Sequence, residues 1–421
     1  MKKGPGDVKR FGVIGLVSSV VLFLVIATPW PTLAGDTIKI GRVEALSGFM
    51  KLWGDQCKEA WSIMLEEVNA KGGILGKKVE VVFEDHEYRP DVAVRKAKKL
   101  ILEDKVDMLG TTIGSHVAIA LNRVAGNYKK LYFNFGGQTD DIQGKHFTPY
   151  SFRMTSNVYA SCHAIAYAAS LKPFRKFYLV APDYTFGHDW GAGVKAAIKK
   201  FMPDAQIVGE DYHPMPCKDF APYVTKIIAS GADAIFSGNF STDAVLFCKA
   251  VREMGLKAPF PIFSFASVFG PVAQELKDEA VGIYQNGYYD FVIDTPGNQA
   301  FVKKWHERNK DKSWEFWYPV DSAPMEYVGW PMVFAALEKA GSLDSEKVIT
   351  ALEGFEYDTI IGRWTMRACD HQILQPNWVK TFMPGKSRYY DWNWYTKDVL
   401  IEIPAEKLAN PATPDYNPRC K

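Results

Sequence analysis

Apolar and polar residues alternate over Thr37–Val43, where Ile38 and Ile40 sit between polar neighbours beside a β-branched run, the pattern of a strand. The period then changes. Cys57, Ala60, Trp61, Met64, Leu65 and Val68 recur at intervals of three and four and share one helical stripe. Gly72 and Gly73 end that helix, because glycine takes the left-handed conformation at little cost. Val79–Phe83 reads as a second strand, completing a strand, helix, parallel strand unit. Pro90 then opens a helix with Ala93, Ala97, Leu100 and Ile101 on its buried face, and Val106–Gly110 is a third strand. Ser115, a candidate N-cap, precedes Val117, Ala120, Leu121 and Val124 at helical spacing, and Leu131–Gly137 is a fourth strand. This alternation predicts a doubly wound parallel sheet.

Thr148–Met154 breaks the rhythm, which marks a crossing between two lobes. It restarts with strands at Lys176–Pro182, Ile207–Tyr212, Asp233–Gly238 and Pro261–Phe265, and helices near Gly191–Phe201, Asp219–Ser230 and Thr242–Met254. Gly282–Phe291 carries the chain back, and helical patterns at Asn298–Asn309 and Pro324–Lys339 finish the first lobe. The expected fold is therefore α/β with two doubly wound parallel-sheet lobes, 35–154 with 285–365 and 155–284 with 366–421. The segment after Asp391, rich in aromatics, Pro and Asn, is expected to be a tail laid over the second lobe.

Residues 1–34 have the form of a signal peptide. Lys2, Lys3, Lys9 and Arg10 precede an apolar run from Phe11 to Ala27, and Thr32-Leu33-Ala34 offers small residues for cleavage. An uncleaved anchor is the rival reading. Removal near Ala34 leaves 387 of the 421 residues, enough for two lobes, and takes three net positive charges from a chain of net charge +2. The remainder stands near −1, so nothing points to nucleic acid. The six cysteines are too few for a disulfide scaffold in an exported chain this long. Cys57, Cys162 and Cys248 fall on apolar helical stripes, as buried thiols do. Cys217, Cys369 and Cys420 do not. A Cys369–Cys420 bridge would tie down the tail, the alternatives being a bridge from Cys217 to either one, or none.

The run Ile38–Gly41, Leu46-Ser47-Gly48, Trp53-Gly54-Asp55 and Val68–Gly76 resembles the start of the periplasmic leucine/isoleucine/valine-binding protein family, the type I solute receptors of ABC importers. The resemblance runs from about Thr37 to Trp378. It implies a three-segment hinge with its third crossing from Gly362–Met366 onward, a periplasmic monomer, a small carboxylate or amino acid held between the lobes, and delivery to an inner-membrane permease and ATPase. Family members grip the ligand carboxylate with a hydroxyl residue after the third strand and with backbone and hydroxyl groups after the fourth. Carried over, these are Ser115 (or Gly114, one position earlier), the Gly137 backbone and Thr139, with Trp53 as an aromatic wall. In the second lobe Phe186 and Phe240 occupy ligand-facing loop positions, the alternative being hinge packing. Amino-acid receptors of the family place an acid after the strand matching Pro261–Phe265. Here the chain reads Phe265-Ala266-Ser267, with Ala266 where the acid would stand and no Asp or Glu between Phe260 and Gln274.

Open parallel sheets collect ligands beyond their strands' carboxyl ends, where helix N-termini present free N–H groups, and Ser115 and Gly136–Thr139 lie at such ends. Enzyme signatures are sparse. There is no Gly-x-Ser-x-Gly elbow, and Lys71–Lys78 lacks the spacing and the Ser/Thr of a phosphate loop. Asp85-His86-Glu87 and Asp370-His371 offer metal ligands but read more simply as loop residues. Trp314–Tyr318 offers rings that could stack on a sugar but suits core packing better. No cofactor, metal or catalytic residue is expected. The leading reading is a binding protein that feeds an importer. Its alternative is a sensory module signalling through a partner, less favoured because no membrane span follows Lys421 in the sequence.

Overall fold

The computed structural model describes residues 37–265, 274–319, 323–385, 389 and 401–421. The leader and Ala266 lie outside that set. The first layer runs β1 (Ile38–Glu44), α1 (Lys51–Ala70), β2 (Val79–Asp85), α2 (Pro90–Leu102), β3 (Met108–Thr111), α3 (Ser115–Tyr128), β4 (Tyr132–Asn134) and β5 (Ser151–Arg153). Its five strands are parallel in the order β2-β1-β3-β4-β5, with Ile40 opposite Val81 on one side and Met108 on the other. The stripe on α1 packs as its spacing requires: Cys57, Ala60, Trp61 and Met64 are buried, and Leu65 and Val68 lean on the same core.

The second layer begins with α4 (Val158–Ser170), followed by β6 (Lys176–Pro182), α5 (Thr185–Phe201), β7 (Gln206–His213), α6 (Ala221–Ser230), β8 (Ala234–Ser237), α7 (Ser241–Glu253), β9 (Ile262–Ser264) and β10 (Ile283–Gly287). Helix α4 has no amphipathic stripe to detect. Ten of its thirteen residues are buried, five of them Ala, because it is covered by neighbours all round. Asn157 caps it, accepting from the Ala160 amide at 2.8 Å. Helix α5 starts six residues before the position expected from periodicity, where glycines hide the pattern. They serve close packing: a Cβ on Gly187 would lie 1.8 Å from the Pro182 carbonyl oxygen, and one on Gly193 would lie 2.8 Å from Cys162 Sγ. Strand β10 stays in the second sheet through Gly287, so the return to the first layer comes later than 285.

The chain returns to pack α8 (Pro296–Asn309), α9 (Pro324–Ala340) and α10 (Ser345–Leu352), with α9 lying against α1. A small antiparallel sheet follows, β11 (Glu356–Thr359), β12 (Gly362–Met366) and β13 (Ile373–Leu374), and Gln372 bridges to Arg153. Then β14 (Asn377–Thr381) and β15 (Ile401–Ile403) add antiparallel to the second sheet, whose order is β15-β14-β10-β9-β8-β6-β7. Passage between the sheets thus occurs near 154–157, 288–295 and 375–376.

The tail does more than lie on the second lobe. Beyond a short helix, Ala405–Leu408, it passes back toward the first layer. There Asn417 donates to the Gln143 carbonyl at 2.8 Å, Tyr416 to that of Asp140 at 3.1 Å, and Arg419 to Glu353 at 2.5 Å. A Cys369–Cys420 disulfide fixes its end, and Cys217 is free and buried, as are Cys57, Cys162 and Cys248.

Candidate ligand-binding cleft

The loops that follow β3 and β4 are built around two close approaches. Gly114, at φ +94°, is the N-cap of α3, so Ser115 is the first helical residue rather than the cap, and no side chain caps the first turn. Ser115 Oγ instead accepts from the amides of Gln138 (3.1 Å) and Thr139 (3.3 Å), joining the two loops and leaving its own proton free to donate. Gly136 sits where a Cβ would be 1.4 Å from the Thr112 carbonyl oxygen, a spacing only glycine permits.

A chamber of about 70 Å³ opens beyond these loops, between the two sheets. Ser115, Gly114, Gly136 and Gln138 face it from the first layer, together with Met50, Trp53, Tyr88 and Ile113. Tyr184, Phe186, Phe240 and Phe265 close it from the second, and Tyr288 from the returning segment. Trp53, Ser115, Phe186 and Phe240 are thus brought together.

Gly137 and Thr139 do not join them. The Gly137 amide donates to Asn134 Oδ1 at 2.7 Å, so Gly136 lines the chamber in its place. Thr139 is buried, and its hydroxyl donates to Asp189 of α5 at 2.7 Å, linking the first layer to the second. The three tyrosines escaped sequence reading. Tyr88 follows Glu87 in a left-handed pair (φ +56° and +53°), which no residue type there announces. Tyr184, by contrast, carried a signal, since it stands two residues beyond the carboxyl end of β6.

No Asp, Glu, Lys, Arg or His lines the inner chamber among the described residues. Three acids on neighbouring loops are engaged elsewhere. Asp183 and Asp243 face an outer cavity, and Asp290 forms a buried ion pair with Lys380. Burial pushes the Tyr88 hydroxyl up to about 12, and burial with Tyr88 close by pushes Tyr184 up as well. Both stay protonated donors. The chamber therefore offers hydroxyl and amide donors to an anion, aromatic faces to an apolar body, and, among the described residues, no counter-charge to an ammonium.

A buried charge cluster holds the loop after β3. Arg42 donates to Glu44 (2.5 Å), to Thr112 Oγ1 (3.0 Å) and to Glu326. Thr112 in turn donates its amide to Glu44 (3.1 Å) and its hydroxyl to Glu326 (2.8 Å). The guanidinium lies 5.5–5.9 Å from the ring centres of Phe135, Trp61 and Trp330, which supply attraction where hydrogen bonds do not. Gly110 makes room for it, since a Cβ there would be 1.8 Å from Arg42 Nη1. Thr112 lies three residues before Ser115, so the cluster holds the loop that carries the hydroxyl.

Two parallel-sheet lobes around an uncharged, donor-lined chamber define a solute-binding protein. The chain belongs to the periplasmic binding protein family, whose sequence model matches residues 37–382. It is 26% identical over 366 residues to Leu/Ile/Val-binding protein homolog 4 of Brucella melitensis, covering 82% of this chain and 83% of that one. The leucine-, isoleucine-, valine-, threonine- and alanine-binding protein of Brucella ovis, in its closed conformation, superposes with a TM-score of 0.78 at 23% identity, over 90% and 97% of the two chains. A solute-binding protein of an ABC transporter from Rhodopseudomonas palustris BisB5, in complex with 3,4-dihydroxybenzoic acid, gives 0.75 at 23% identity, over 88% and 98%.

Proposed function

We propose that this protein is the solute receptor of an ABC importer of the branched-chain-amino-acid type, and that it captures an apolar or aromatic carboxylate in preference to an amino acid. The carrying observation is the pairing of the free Ser115 proton and the uncapped α3 N-terminus with a chamber that has no described acidic residue. An ammonium buried there without a partner would cost several kcal/mol, a thousandfold or more in affinity. The carboxylate instead accepts from Ser115 and the α3 amides while the part of the ligand next to it lies against Trp53, Phe186 and Phe240. That a neighbour of the same fold holds a dihydroxybenzoate supports this reading, and the names of the Brucella relatives support the rival amino-acid ligand. Around this core belong the further parts of the proposal: a leader cleaved near Ala34, a monomer in the periplasm, closure of the lobes on the ligand, and delivery to a permease and ATPase.

Calorimetry of matched pairs tests it, leucine against 4-methylpentanoate and phenylalanine against 3-phenylpropanoate. The deaminated member of each pair should bind more tightly. Tighter binding of the ammonium-bearing member in both pairs refutes the carboxylate preference. Solution scattering at saturating ligand should show a smaller radius of gyration.

A further inference from the structure

The inner chamber is small for the ligand class just proposed. Its volume of about 70 Å³ is roughly half the ~150 Å³ cavity that takes up a benzene molecule. A carboxylate and the atom bearing it fit there, and a whole arene does not. Directly outside lies a second cavity of about 850 Å³, and Tyr88, Tyr184 and Phe240 line both. These three rings form a waist between an inner and an outer room.

The outer room is walled mainly by apolar groups from both layers, with His116 and Lys218 also among its lining. Phe49 stands on the first-layer side, 56% exposed, with its ring 5.1 Å from that of Tyr88. Leu246 of α7 stands on the other, 40% exposed, with Met215 and Pro216 completing the wall. Large apolar side chains left in water on opposite walls of one cavity indicate a surface kept for an apolar occupant. The acids at its edge are already engaged: Asp183 accepts from His188 at 2.7 Å and Asp243 from the Cys217 amide at 3.0 Å. At the waist itself, the hydroxyls of Tyr88 and Tyr184 have no hydrogen-bond partner among the described residues.

We propose that the ligand is an elongated acid, its carboxylate in the inner chamber and its apolar body, a ring on a short chain, passing the Tyr88–Tyr184 waist into the outer room. This rests on the carboxylate reading of the same site and adds the length of the molecule. Such a ligand has its shaft gripped between tyrosines of opposite lobes, and its distal part covers Phe49 and Leu246.

The test is a length series, benzoate, 3-phenylpropanoate and 5-phenylpentanoate, titrated calorimetrically into the full-length mature protein and into the Leu246→Glu and Phe49→Ala variants. Each methylene that lets the ring enter the outer room should tighten binding roughly fourfold. Affinity should therefore rise more than tenfold from benzoate to 3-phenylpropanoate and again to 5-phenylpentanoate. Leu246→Glu should reduce 5-phenylpentanoate affinity at least tenfold more than benzoate affinity, and Phe49→Ala should do so to a smaller extent. Affinity that is flat or falling with length, or variants that weaken all three acids alike, overturns the elongated ligand and leaves the carboxylate reading standing. Failure of every acid to bind overturns both.

Discussion

Replacing Glu326 with alanine should be among the most damaging single changes outside the cleft. This fully buried carboxylate receives Arg42 and accepts from Thr112 Oγ1 at 2.8 Å, Trp330 Nε1 at 2.7 Å and Trp61 Nε1 at 3.1 Å. Truncation leaves two indole N–H groups without an acceptor and the Thr112 hydroxyl with only Cys57 Sγ at 3.4 Å, each orphaned donor costing about 1–3 kcal/mol. Arg42 keeps Glu44 at 2.5 Å, so the full cost of an unpaired buried charge is avoided. Losing one of two like-charged carboxylates also relieves repulsion on Glu44, an opposing effect that keeps the total near the low end, about 3–5 kcal/mol. For a lobe of ordinary size that is a fall in Tm on the order of 10 °C. Glu326→Gln retains an acceptor of the same shape and should lose less than half as much. Urea and thermal unfolding followed by tryptophan fluorescence at pH 7 will read both. A Glu326→Ala variant within about 1 kcal/mol of the parent, or a Gln variant as damaged as the Ala one, would refute the reasoning that acceptor loss dominates.

Ser115→Ala removes both the donor to the ligand and the acceptor of the Gln138 and Thr139 amides, and should weaken carboxylate binding by about 10- to 100-fold in calorimetry while lowering stability by about 1 kcal/mol. Burial, more than Arg42 can offset, raises the Glu44 carboxyl from 4.5 to about 7. The folded chain then holds a proton that the unfolded chain releases, so this group's contribution is most favourable below pH 4.5 and is lost as pH rises to about 7. Glu44→Gln should flatten that part of the stability profile in urea titrations. Opening the Cys369–Cys420 bridge, which spans 51 residues, by Cys420→Ser or by reductant should cost up to about 4 kcal/mol through the freed unfolded chain, and an unchanged Tm with and without reductant would deny it that role.

The first sheet was readable because its strands and helices announce themselves by a change of period, and Ile38, Ile40, Trp61 and Met64 are all buried where that pattern puts them. Helix α4 was not, because burial on every side erases the stripe, and neither was the small β11–β13 sheet, with strands of two to five residues. In the cleft, Trp53, Ser115, Phe186 and Phe240 line the chamber from the segments that follow β1, β3, β6 and β8. Gly137 and Thr139 stand apart from the chamber lining because Asn134, three residues upstream, and Asp189, fifty residues downstream, engage the amide and the hydroxyl expected to face the ligand. The pairing of Cys369 with Cys420 stayed open on sequence alone, since Cys217, like them, stands off the apolar helical stripes.

The disulfide makes the last fifty residues a lasso. Everything between Cys369 and Cys420 is a covalent ring, so a single protease cut within it leaves the chain in one piece until the bridge is reduced. Strand β15 lies inside that ring, so its pairing with β14 is backed by a covalent tether as well as by the sheet, and a nicked segment stays beside β14 until the bridge is reduced.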